Sequence, residues 1–278
     1  MKSYCIIHYL AVAVFLLIAT QSSFSQKPSI ALGITGGHLN AENDAKYVYI
    51  CSTCGKSMGN FNAGTYFAGI SFEYLLDIGI EGSIMSKIYY NSFSNIYSVD
   101  GVSFPNLVDA SDPNYTPLVV RSVTHNDWEV NYSLLTLDIL PKIKIPYLTL
   151  DLFAGISVSY LLDSRFSEIY RIISPQNVRF PEYPEYKGMY EDKGRSIRFK
   201  DGVIPFKNDY RYGFKAGMQY DFDFWGLRLS PFVAIDIPFN SVVNGVNLNC
   251  PPLACSTRTD AHWKITYYQA GLDLKYLF

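Results

Sequence analysis

The chain has 278 residues with 23 basic and 25 acidic side chains, so it offers no basic field for a nucleic acid. Aromatics make up 16% of it, with 23 tyrosines, whose apolar body and polar tip suit a membrane interface or a wet loop. The length suffices for one large barrel or two small domains.

The N-terminus reads as a secretory signal. Lys2 supplies the positive start, and the apolar run 9–19 is too short for a comfortable membrane helix. Ser23-Phe24-Ser25 places small residues at the two recognition positions, so cleavage is expected before Gln26. That leaves a signal peptide over 1–25 and a single mature domain over 26–278. Cys5 precedes the apolar run, whereas lipid attachment needs a cysteine just after it. A retained anchor helix is the alternative. No later window reads as a membrane helix, so a spanning chain must close into a barrel, which leaves no backbone group unpaired in lipid.

Eight stretches alternate by twos. They lie at about 29–36, 65–75, 78–90, 128–145, 148–161, 210–222, 227–237 and 263–278. In the fourth, Trp128, Val130, Tyr132 and Leu134 share one parity, and Leu135, Leu137, Ile139, Ile143 and Ile145 the other. One inserted residue flips every later side chain, so a bulge is expected near Leu134–Leu135. Pro141 fits an irregular position. The eighth stretch changes parity in the same way near Tyr267–Tyr268. Connections alternate long and short, which is the asymmetry of outer-membrane barrels with short periplasmic turns and long outer loops. An even strand number places both termini on the periplasmic side.

The expected fold is therefore all-β, an eight-stranded antiparallel up-and-down transmembrane barrel in the outer membrane of a Gram-negative cell. A soluble lipocalin-like barrel would alternate too, with its apolar face inward. Two arguments place lipid outside. The interior of eight strands would be crowded by the Ile/Leu/Val/Tyr/Phe row and fits the Gly/Ser/Ala/Thr row. The small row is also charged, and a Lys or Arg facing lipid at mid-depth costs about 2–4 kcal/mol. The expected lumen network comprises Glu73, Glu81, Lys87, Asp138, Lys142, Lys144, Asp151, Arg211, Lys215, Asp221, Arg228, Asp236, Asp273 and Lys275. Its two signs balance, which suits internal ion pairs that block the lumen. Interfacial girdles are expected from Tyr74, Tyr89, Tyr90, Trp128, Tyr147, Tyr160, Tyr210, Tyr220, Trp225, Trp263 and Tyr276, against ordinary β-propensity as the plain alternative. In the final stretch Leu272, Leu274, Tyr276 and Phe278 are expected to face lipid, the last three serving insertion and closure, with Asp273 and Lys275 in the lumen.

Leu135-Thr136-Leu137-Asp138-Ile139-Leu140-Pro141-Lys142-Ile143-Lys144 is followed by a tight turn and Leu152-Phe153-Ala154-Gly155-Ile156-Ser157-Val158-Ser159-Tyr160-Leu161-Leu162. This pair of strands resembles PorT-like outer-membrane β-barrel proteins, common in Bacteroidota. Tyr212-Gly213-Phe214-Lys215-Ala216-Gly217-Met218-Gln219-Tyr220 and the terminal strand fit the same pattern. The resemblance covers the strands and none of the long loops, and departs from the family at Leu140-Pro141. It implies an outer-membrane barrel, in some members an accessory of type IX secretion, and carries no catalytic residues across.

The mature chain has four cysteines, Cys51 and Cys54 in the first long loop and Cys250 and Cys255 in the last. An oxidising compartment favours disulfides, paired locally or across the two loops, over free thiols or a four-thiolate zinc site. His38, His125 and His262 fall near the outer rim. His125 has Ser122 and Asp127 nearby, so a hydrolytic or acyl-transfer centre acting on lipid is the enzymatic alternative; solvated rim histidines are the plain reading. Phe180-Pro181-Glu182-Tyr183-Pro184-Glu185-Tyr186-Lys187 reads as a semi-rigid recognition surface or a cap over the barrel mouth. No phosphate loop, calcium loop, cofactor site or catalytic constellation is expected. The expected role is non-enzymatic binding or scaffolding through the long loops. The expected partners are outer-membrane lipid, the barrel-assembly machinery during insertion and an envelope protein held by the loops.

Overall fold

The computed structural model describes residues 30–46, 60–77, 81–103, 106–112, 116–145, 148, 150–182, 187–203, 207–246 and 260–278. Eight long strands form the barrel: β1 (Ile30–Lys46), β2 (Phe61–Asp77), β3 (Glu81–Ser103), β4 (Ser122–Ile145), β5 (Leu150–Ser174), β6 (Tyr210–Tyr220), β7 (Leu227–Pro238) and β8 (Asp260–Leu277). Each pairs antiparallel with the next, and β1 pairs with β8 from Ala31↔Leu277 to Lys46↔His262, so the ring is closed. Closure leaves the membrane-level backbone no free edge.

The strands are unequal. β6 and β7 have 11 and 12 residues, about enough to cross a bilayer when tilted. β3, β4 and β5 have 23, 24 and 25 and rise well beyond it as a wall on one side. Much of what reads as long loop is thus strand. The first strand likewise runs ten residues past its predicted stretch, to Lys46, whereas the eighth begins at Asp260, close to where it is predicted. The turns joining β2 to β3, β4 to β5 and β6 to β7 are short, and their end is the periplasmic one.

A small module sits on the wall. Asn106–Asp109 pairs with Pro117–Val119 and with Val178–Arg179. Ser196–Val203 pairs with the upper part of β5 and with Tyr190–Glu191. Leu107, Tyr170, Ile172, Val178, Phe180 and Ile197 form its own apolar cluster. Phe180 is buried there against Tyr170, ring centroids 5.5 Å apart; Tyr183-Pro184-Glu185-Tyr186 of the Pro-Tyr stretch lie outside the described residues.

Neither expected phase shift exists. In β4 the even residues from Ser122 to Lys142 all face inward, Trp128, Val130, Tyr132, Leu134, Thr136 and Asp138 included. In β8 Trp263, Ile265, Tyr267, Gln269, Asp273 and Lys275 all face inward. The strands do not flip; their surroundings do. At membrane level lipid lies outside and ion pairs inside, whereas above it water lies outside and an apolar core inside. The irregularity is on the neighbouring strand: Ser133 pairs with Asp163 and Leu134 with Leu161, leaving Leu162 as the extra residue of a bulge in β5. Pro141, which has no N–H to donate, sits where the pairing of β4 with β5 lapses between Ile139 and Lys142 without losing register.

Candidate functional site

The outward face at membrane level is a continuous apolar band. It includes Ile34, Ile70, Leu137, Ile139, Ile156, Phe214, Met218, Val233, Leu272 and Leu274, all exposed. Tyr66, Tyr90, Tyr160, Tyr210, Tyr212 and Tyr268 stand exposed along its upper border, and Tyr220, Phe222, Phe224, Trp225, Tyr276 and Phe278 along its lower one. A lipid environment removes this apolar surface from water all the way round a closed barrel. The fold is that of an outer-membrane β-barrel. Three aromatics expected in the girdles belong elsewhere: Tyr89, Trp128 and Trp263 are buried in the lumen, where parity aims them. Tyr147 lies outside the described residues.

The lower lumen is a stack of ion pairs. Glu73 accepts from Lys142 and Lys275, each at 2.6 Å. Lys142 also reaches Asp151 at 2.9 Å and Asp221 at 3.1 Å, and Arg228 reaches Asp221 at 3.4 Å. One level up, Lys87 pairs with Asp273 at 2.9 Å, its ammonium 3.4 Å from the centroid of the Phe232 ring. Above that, Lys215 pairs with Asp138 at 2.5 Å and donates to the Tyr89 hydroxyl at 2.9 Å. Arg211 forms the lid, bound to Asp236 at 2.9 Å and to the Ile265 carbonyl at 2.8 Å. Removing the carboxylate of a pair that has only one, such as Asp138 of Lys215 or Asp236 of Arg211, strands a charge in the interior, at a cost of about 3–5 kcal/mol. Lys144 departs from the expected network: it lies exposed at the periplasmic rim, because β4 leaves the lumen there. The side chain of Glu81 is outside the described residues.

The interior also takes bulky rings, contrary to the expectation that an eight-stranded lumen is too crowded for them. Phe153 lies over Gly217, and Phe67 and Phe232 over Gly271, where an added Cβ would come within 3 Å of each ring. Glycine on one strand makes the room that phenylalanine on another fills.

Above Arg211 the lumen turns aromatic. Phe93 stacks between Tyr132 and Tyr267, centroids 4.7 and 5.9 Å away. Trp263 meets Tyr132 at 5.6 Å and Phe61 at 6.1 Å and donates from Nε1 to Asn43 at 2.9 Å. Trp128 meets Tyr97 at 5.5 Å. Leu39, Val130, Leu134, Leu161 and Ile265 complete this core. Sequence reasoning missed it. Its signal is the pair of apolar rows of opposite parity meeting at Leu134–Leu135, the same pattern that a one-residue bulge leaves.

The outer face of the wall carries one constellation built across three strands. Asp100 of β3 and Arg171 of β5 flank His125 of β4 as direct cross-strand partners. His125 Nδ1 lies 2.5 Å from Asp100 Oδ1, and Nε2 lies 3.0 Å from Asp127 Oδ1. Asp127 also accepts from the Ser98 hydroxyl at 2.6 Å and from Arg171 at 2.8 Å. Both ring nitrogens face carboxylate oxygens, an arrangement that suits the doubly protonated imidazolium, since a neutral ring has one donor. The Asp100 hydrogen bond is the main influence raising the His125 pKa above the ordinary 6.5, and Asp127 adds to it. Burial pushes the Asp127 carboxyl up, but Ser98, His125 and Arg171 together hold it below its usual value. Ser122 is buried on the opposite face of β4, so the imagined Ser122–His125–Asp127 triad is not assembled. His38 lies against Tyr66, ring centroids 5.6 Å apart, and His262 lies 3.7 Å from Asp44. Among the described residues no group of three His, Cys, Asp or Glu is placed to hold a metal. Cys51, Cys54, Cys250 and Cys255 lie outside the described residues, as does the 1–25 signal.

No protein-family model matches the chain, and no curated protein sequence matches it. Among solved structures, Ail, the attachment invasion locus protein of Yersinia pestis, aligns over 88% of this chain and 98% of its own, at 8% identity and TM-score 0.36. Neisserial surface protein A aligns over 91% and 100%, at 9% identity and TM-score 0.38. The outer membrane protease OmpT from Escherichia coli aligns over 92% and 99%, at 11% identity and TM-score 0.30. The barrel itself rests on the closed ladder and the two faces described above.

Proposed function

We propose that this chain is a non-conducting, non-enzymatic barrel of the outer membrane that holds a binding platform above the lipid. The observation that carries the proposal is the double filling of the lumen: ion pairs at membrane level and an aromatic core above them. A filled lumen leaves the solvent-facing wall and its module as the working surface. That surface is built on long strands with its own apolar cluster, which gives a partner a rigid platform and lowers the entropy cost of docking. The partner is an envelope or surface protein. Membership of the PorT-like group, and with it a place as an accessory of type IX secretion, is the narrower form of this proposal and rests on the strand resemblance alone. A lipid-modifying role for the rim histidines is less favoured: both His125 nitrogens are engaged by carboxylates, which leaves neither to take a proton from a nucleophile.

The test is reconstitution of the full chain in planar bilayers, with a photo-crosslinker placed at Val119, an exposed residue on an edge strand of the module. Silent bilayers, with a discrete crosslinked partner in native membranes, are the expected outcome. Steady unitary conductance overturns the plugged barrel. Silence without any partner overturns the platform.

A further inference from the structure

The three-stranded sheet of the module runs in the order Pro117–Val119, Asn106–Asp109, Val178–Arg179, so it ends in two edges. The Val178–Arg179 edge is blunted. Val178 is buried in the module's own cluster, and the chain just beyond is held by the Phe180 N–H donating to the Gly194 carbonyl at 2.8 Å. The Pro117–Val119 edge is of the other kind. All three of its residues are exposed, and among the described residues no strand pairs with its outer side. Val119 is 73% exposed, and no charge stands between Thr116 and Val120. An apolar edge with unpaired backbone groups is a template for one more strand, and proteins that do not use such an edge charge it or cover it.

Pro117 shows which groups the edge offers. It lies opposite Val108 within the sheet and has no N–H, so the side of its nitrogen is the free one. Alternate residues of an antiparallel strand turn their N–H and C=O to the same side. Val119, two residues on, therefore aims both groups outward, while Leu118 aims its own at Leu107. The edge presents the Pro117 C=O and the N–H and C=O of Val119. Charges at its ends give it a direction. Arg121 is exposed just past the C-terminal end. At the N-terminal end Asp112 accepts from the Thr116 N–H at 3.0 Å, in the same turn as Asp109.

We propose that the platform takes its partner as an added strand: an extended segment of an envelope or surface protein pairs antiparallel with Pro117–Val119. The inference rests on the platform reading and names its mode of recognition. The edge specifies the segment. The residue opposite Val119 exchanges two hydrogen bonds with it, and the residue two further on donates to the Pro117 carbonyl, where the missing proline donor matters least. Apolar side chains at those two positions cover the bare face of Val119. An acidic residue at the start of the segment meets Arg121, and a basic one at its end meets the Asp109–Asp112 turn.

The probe is the labelled peptide acetyl-Glu-Thr-Val-Thr-Val-Thr-Lys-amide, titrated onto the full chain in lipid nanodiscs. Binding is expected. Methylating the two valine nitrogens, which face the edge, should weaken it about tenfold, and methylating the threonine nitrogens, which face away, should change it little. Equal losses from the two methylated peptides, or no binding by the parent peptide, would overturn the added strand. Val119→Pro removes the outward N–H and spares the ladder to Asn106–Asp109, so the same loss is expected at an unchanged urea midpoint. Arg121→Glu supplies a second variant: it should weaken the parent peptide, and the peptide with Glu and Lys exchanged should restore binding. No restoration refutes the antiparallel pairing. In native membranes a photo-crosslinker at Leu118 should capture a partner that is lost in Val119→Pro. A partner still captured leaves the platform standing and refutes the strand, as does capture of a second copy of this chain. Capture of nothing in either chain fails the platform itself.

Discussion

The lower and upper halves of this barrel are built from the same strands with opposite polarity. At membrane level Ile139 of β4 points out into lipid and Asp138 points in to Lys215. Ten residues back along the same strand, Glu129 points out into water and Trp128 points in to an aromatic core. The backbone alternates without a break between them. A side chain's polarity here is set by the solvent at its height as well as by the face it occupies. The lower half solves the problem of a lipid exterior, and the upper half is organised like a water-soluble barrel standing on top of it.

The strongest way to break this comparison is at the ion pairs. Glu73→Ala leaves Lys142 and Lys275 without their shared carboxylate, and a loss of about 3–5 kcal/mol is expected from urea unfolding in vesicles. Trp263→Ala attacks the upper half by a different mechanism, a cavity and the loss of the indole hydrogen bond to Asn43, for a comparable loss of about 3–5 kcal/mol. If either change is neutral, that half is not packed as described.

A second test uses one substitution at two heights. Ile139→Lys puts a charge into lipid and is expected to cost about 2–4 kcal/mol, read as a lower urea midpoint. Ile96→Lys changes an equally outward residue of β3, 64% exposed above the band, and is expected to stay within about 0.5 kcal/mol of the parent. Similar losses at both sites would move the upper border of the membrane.

The smallest effect is expected at His125. Its folded pKa is raised, so its contribution to stability is complete below the ordinary value of 6.5 and is lost as pH rises through the folded value. Asp127 behaves in the opposite sense: its pKa is lowered, so its contribution is present above the ordinary 3.8 and is lost as pH falls through the depressed value. Asp100 is largely exposed, so the magnitude stays below about 1 kcal/mol. Hydrogen exchange along the upper rungs of β3 and β4, corrected for intrinsic rates, should quicken as pH rises above the ordinary 6.5 and through the raised folded value in the parent, and lose that dependence in His125→Gln. An unchanged pH dependence in the variant would mean that the imidazolium does not join these strands.

The strands were legible wherever period-two alternation met lipid. The rows through Leu135, Leu137 and Ile139, and through Leu272, Leu274 and Tyr276, lie outward as read. The charged residues between them were legible as an inward row for the same reason, though no sequence pattern says that Glu73 is shared by Lys142 and Lys275 from two distant strands. The upper half was not legible, because an exchange of solvent and a one-residue bulge write the same mark in a sequence: apolar residues change parity. The cluster at His125 was seen only as neighbours along the chain. Asp100 and Arg171, which flank it on either side, come from strands far away in sequence.

Alternation, composition and the order of long and short connections were enough to determine an eight-stranded antiparallel barrel with a charged interior, since those follow from the pleat and from the cost of a charge in lipid. Only the tertiary structure decided where the membrane ends along each strand. That border depends on how far neighbouring strands rise together, and on whether water or acyl chains lie against them at that height.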